Sequence, residues 1–98
     1  MLEKISADDF LPLINKKFRI YFEPSEPSMA ELVEVNERET PTDTERRQPF
    51  SIVFRGPMDN VWPQGIYKIE HKSIGELELF LVPIGPDNEG ICYEAVFN

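Results

Sequence analysis

Residues 17–23 read KFRIYFE, and at this point the chain exchanges a helical spacing of apolar residues for strict alternation. Phe18, Ile20 and Phe22 are separated by Lys17, Arg19, Tyr21 and Glu23, the pattern of a strand with one face in a core and the other in water. Downstream, PSEPS (24–28) supplies a turn, and residues 31–37, 49–55, 65–71, 77–84 and 91–97 repeat the strand signature between Gly- and Pro-bearing connections. Six strands at this spacing predict a mainly β chain: a single small antiparallel six-stranded barrel or sandwich occupying residues 1–98.

Upstream the signal is helical. Ser6 is placed to cap a helix, Asp8 and Asp9 fall in its first turn where the backbone dipole favours negative charge, and Ile5 can pack back onto Phe10. Pro12 limits that helix to about two turns, because its ring removes a donor and crowds the preceding turn. Phe10, Leu13 and Ile14 form the apolar stripe, so a short N-terminal helix is expected to act as a lid over one end of the sheet. Residues 38–48, RETPTDTERRQ, hold no large apolar side chain and mix both charge signs, which predicts a mobile hairpin loop. In LELFLVPI (77–84), Leu77, Leu79 and Leu81 occupy one face, while Phe80, Val82 and Ile84 occupy the other. Something must cover that second face, either the N-terminal helix or another chain.

Composition narrows the functional classes. Eighteen acidic residues against ten basic give a formal charge of −8, which disfavours nucleic acid and anionic membrane surfaces as partners. The N-terminus has no apolar run of the kind that spans a bilayer or directs secretion, so the cytoplasm is the expected location. With one cysteine no intramolecular disulfide forms, and one histidine plus one cysteine do not make a structural zinc site, so neither metal nor cofactor is expected.

A thiolate beside an imidazole would be the most economical nucleophile here, and the expected register argues against it. Folding the chain about KSIGE sets His71 opposite Leu77, and folding it about GPDNEG sets Cys92 opposite Pro83 or Ile84. These are opposite ends of one strand, on the order of 20 Å apart at about 3.3 Å per residue. No phosphate-cradling glycine motif opens a helix, and no carboxylate pair stands out. The chain is therefore expected not to be an enzyme. His71 itself is expected at the rim of the core, hydrogen-bonded to nearby backbone or carboxylate.

Residues 54–71, FRGPMDNVWPQGIYKIEH, place the only tryptophan among two prolines and two glycines. Met58, Val61 and Trp62 carry too much apolar surface for an idle loop. Either Trp62 folds back to plug the barrel, its indole N–H meeting a loop carbonyl, or Trp62 and Met58 anchor a partner with polar help from Arg55 and Gln64 and a further contact from Tyr67.

The phrases QPFSIVFRGP, PQGIYKIEH, IGELELFLVPIGP and YEAVFN together resemble the bacterial family catalogued as domain of unknown function 6916, from about Phe10 onward. The resemblance carries over no catalytic residue. It implies an association with genes for phage-tail-collar-like fibre proteins, and hence an accessory or structural role in such a system. The expected function is a non-enzymatic protein-interaction module that binds through the Trp62 end or an exposed sheet edge. The rival expectation is a carrier of a small apolar ligand held between sheet and lid helix.

Overall fold

A computed structural model describes residues 5–37 and 49–97. The segment expected to be a mobile loop, residues 38–48, lies outside the described residues.

The fold is a closed antiparallel barrel of six strands preceded by one short helix. Helix α1 (Ala7–Phe10) begins at Ser6, whose backbone N–H donates to Asp9 Oδ2 at 2.9 Å. Pro12 then sits in a 3-10 turn, Leu11–Leu13, where the missing N–H costs little. Asn15, at φ 75°, ends the segment in the left-handed region that asparagine tolerates.

The strands are β1 (Lys17–Glu23), β2 (Glu26–Glu37), β3 (Phe50–Gly56), β4 (Gly65–His71), β5 (Gly75–Pro86) and β6 (Ile91–Phe97). Around the barrel they run β1, β2, β3, β6, β5, β4, and β4 returns to β1 through Arg19↔Glu70, Ile20↔Ile69 and Tyr21↔Lys68. Closure decides between barrel and sandwich, and among the described residues every strand has a neighbour on both sides along at least part of its length, so none is a full-length edge.

Irregularities bend the sheet into closure. Tyr21 and Phe22 face the single residue Pro27 between the pairs Ile20↔Ser28 and Glu23↔Glu26. A proline that cannot donate to a ladder is thus placed where the ladder is already interrupted. This moves the turn of the first hairpin to Pro24 and Ser25, and β2 starts inside the stretch expected to be all turn. A second irregularity admits Ile84 between Pro83↔Tyr93 and Gly85↔Cys92, with Gly85 at φ 116°.

The alternation read in the sequence supplies the core. Phe18, Ile20, Leu32, Phe50, Ile52, Phe54, Leu81 and Tyr93 are all fully buried. Phe10 closes one end, its ring 5.9 Å from Phe50 and 5.8 Å from Phe97, which themselves stack at 4.4 Å. The lid helix therefore covers a barrel end. It does not cover the second face of β5, where Phe80 and Ile84 are exposed.

Candidate functional site

The end of the barrel opposite Phe10 is built around the ring of Phe22. Trp62 stacks on it at 5.6 Å with the planes 3° apart, Tyr67 meets it edge-on at 4.9 Å, and Tyr93 lies 4.8 Å away. Two hydroxyls fasten the connection between β3 and β4 to this cluster: the Trp62 backbone N–H donates to Tyr93 Oη at 3.0 Å, and Tyr67 Oη donates to the Pro63 carbonyl at 2.6 Å. Burial raises the Tyr93 phenol above its ordinary value, so it stays a neutral hydroxyl. Trp62 is half-buried and packs against the core, as a plug would. Among the described residues its indole N–H has no loop carbonyl as acceptor, so that expected bond is not made; Trp62 is held by its backbone N–H, which donates to the Tyr93 hydroxyl.

The sequence-derived candidates do not converge on one point. Met58 and Gln64 are exposed beside Trp62, while the Tyr67 hydroxyl is taken up by Pro63. Arg55 points to a different task. Its Nε and Nη2 both donate to Asp87 Oδ2, at 2.8 and 2.5 Å, and Nη1 lies 3.8 Å from Glu31 and 3.6 Å from Glu89. The other oxygen, Asp87 Oδ1, accepts the backbone N–H groups of Glu89 and Gly90 at 2.8 and 3.0 Å. One carboxylate thus closes the β5–β6 turn and ties it to β3, and these bonds hold its pKa far below the usual carboxylate range. Beside the Trp62 end a shallow groove of about 280 Å³ is bordered by Glu23, Glu26, Asp59 and Asn60.

His71 and Cys92 are held apart. His71 pairs with Gly75 and not with Leu77, while Cys92 pairs with Gly85 and not with Pro83 or Ile84. These partners are ten positions apart on β5, roughly 30 Å along the strand. Burial and the Asp87 carboxylate push the Cys92 thiol up, away from the thiolate form a nucleophile needs. His71 Nδ1 accepts the Ser73 backbone N–H at 3.0 Å, and its ring packs on Phe18 at 4.6 Å, which is the rim placement expected from the sequence. Among the described residues no three His, Cys, Asp or Glu side chains are grouped to hold a metal ion, and no helix is long and apolar enough to cross a membrane.

Two features were missed by sequence reasoning. On the outer face Ile66 and Phe80 are directly opposed across β4 and β5, 69% and 50% exposed. Ile66 also borders a groove of about 410 Å³ with Tyr21, Pro24, Tyr67 and Lys68. The second feature is a groove of about 190 Å³ bordered by Lys17, Arg19, Met29, Glu70, His71 and Lys72. The sequence signalled the first through the two-faced strand 77–84. It carried no signal for the second, whose walls meet only when β1 closes on β4.

This is a small closed β-barrel with aromatic plugs at both ends and an apolar pair on its outer wall. Over residues 5–97 the chain matches the domain of unknown function DUF6916, and it belongs to that family. Neither curated proteins nor solved structures returned a match.

Proposed function

We propose that this domain is a non-catalytic protein-interaction module that receives its partner on the outer wall of β4 and β5. The observation that carries this reading is the exposed Ile66–Phe80 pair. Large apolar side chains opposed across two strands, with Ile84 and Val96 also exposed on neighbouring parts of the barrel, cost solvation unless a partner covers them. Glu76, Glu78 and Glu94 occupy outward positions beside the pair, so the favoured partner is a protein with an apolar centre and a basic rim. A fibre or tail component of a phage-like particle is the partner class that the family resemblance implies. The carrier reading has less support, since aromatic and aliphatic side chains fill the interior where a ligand would lie.

The test is copurification with the products of neighbouring genes, followed by titration of the isolated partner. Ile66→Asp and Phe80→Asp should each weaken association at least tenfold, the scale of a residue at the centre of an interface, while thermal unfolding of the isolated domain stays nearly unchanged. Undiminished binding by both variants would refute this surface. A small molecule retained in native mass spectrometry of the wild type would favour the carrier.

A further inference from the structure

Among the described residues there are six cations, and three of them have carboxylate partners. Arg19 pairs with Glu70 at 2.8 Å, Arg55 with Asp87, and Lys68 with Glu76 at 3.8 Å. Lys16, Lys17 and Lys72 have none within 4 Å, although Lys17 lies opposite Glu31 of β2, in a chain with eight more acidic than basic residues. The three unpaired ammonium groups are not scattered. Lys17 and Lys72 border the same groove, and Lys16 is close enough for its charge to act on His71, as do Lys72 and Arg19.

The register makes the arrangement more pointed. Arg19 faces Glu70 across β1 and β4, an opposite-charge pair that the ladder favours. Beyond the paired residues, Lys17 of β1 and Lys72 of the β4–β5 turn border one groove, and like charges gathered in this way repel unless an anion stands between them. His71 adds a donor. With Nδ1 accepting from Ser73, the neutral ring carries its proton on Nε2. Met29, opposite Arg19 and half-exposed, provides an apolar side to the groove.

We infer that the groove between Lys17 and Lys72 is a receptor for a single carboxylate, presented by an acidic side chain of a peptide segment whose methylenes rest on Met29. The rest of the molecule selects for low charge. Repulsion from a net charge of −8 grows with the charge of the ligand, so a monoanionic carboxylate is favoured over a phosphate dianion or an extended polyanion. This site is independent of the Ile66–Phe80 face and stands or falls separately from it.

The probes are the acetylated, amidated tripeptides Ala-Glu-Ala and Ala-Gln-Ala and inorganic phosphate, titrated at low salt into isotopically labelled protein followed by NMR. The Glu peptide should shift the His71 ring signals and the backbone amides of Lys17, Lys72 and Ser73 saturably, and the Gln peptide should not. Lys17→Gln and Lys72→Gln should each weaken binding about two- to fivefold, the range for one exposed ion pair, without lowering thermal stability. Equal responses to the Glu and Gln peptides, or unchanged affinity in both variants, would overturn the site. Phosphate binding tighter than the Glu peptide would overturn the assignment of a carboxylate.

Discussion

Gly90 tests how closely the β5–β6 turn lies against β3. A methyl group on its Cα would stand 2.2 Å from the Gly56 carbonyl oxygen and 2.8 Å from Arg55 Cγ. The oxygen belongs to backbone inside a strand, so Gly90→Ala requires the turn to retreat by about 1 Å to restore an ordinary contact. A retreat of that size stretches the 2.8 Å Arg55–Asp87 bond beyond hydrogen-bonding distance, and the same displacement separates β6 from β3 at Gly56↔Ile91. The overpacking alone costs up to about 3 kcal/mol. For a domain of this size that lowers the melting temperature by about 12–24 °C. Gly75→Ala is the control. Its φ of 89° penalises a side chain, but nothing lies within 4 Å of the added methyl, so only the conformational cost of about 1–2 kcal/mol applies. Differential scanning calorimetry of both variants, with Arg55→Ala alone and combined with Gly90→Ala, measures the coupling. The combined loss should fall short of the sum, because both changes release the same turn. Gly90→Ala that melts within 3 °C of wild type, a loss under about 1 kcal/mol, would refute the close approach.

Two further outcomes follow from the Trp62 end and from the Asp87 network. Trp62→Ala should cost about 2–3 kcal/mol in chemical denaturation, below the range for a fully buried aromatic because one side of the indole meets water; an unchanged unfolding midpoint would move Trp62 from plug to anchor. The Asp87 carboxyl is depressed in the folded state relative to about 3.9 unfolded, so its stabilisation is complete above roughly pH 5 and is lost as acid protonates it. The difference in melting temperature between wild type and Asp87→Asn should therefore narrow as pH falls from 5 towards 2, and a constant difference would contradict the network.

What could be read in the sequence was what depends on period and local chemistry. Alternation in 17–23 and 49–55 placed Phe18, Ile20, Phe50, Ile52 and Phe54 in the core, and Pro12 shortened the helix as its ring demands. Register was less legible. The turn after β4 closes on His71 and Gly75, two positions tighter than expected, because Gly75 supplies a positive φ that a longer loop would not need. The role of Arg55 was not legible at all, since nothing near residue 55 announces a partner 32 positions away. The groove at Lys17 and Lys72 was hidden for the same reason: charges spaced far apart in sequence become neighbours only through the β1–β4 closure.

The position of β6 between β3 and β5 has a consequence during synthesis. A ribosome that has released β1 to β5 has supplied the β1–β2, β2–β3 and β4–β5 hairpins but not the strand that joins them, so β3 and β5 each present an unpaired backbone edge until Ile91–Phe97 emerges. Phe97, which stacks on Phe50 and meets Phe10, arrives last of the three, so the lid helix waits for its seat although it was made first. Vectorial folding therefore gains this domain little. The barrel forms in one closing event once β6 is available, dominated by contacts distant in sequence, the kind that places folding in the millisecond-to-second range, and a nascent chain stalled before β6 is the species that chaperones must shield.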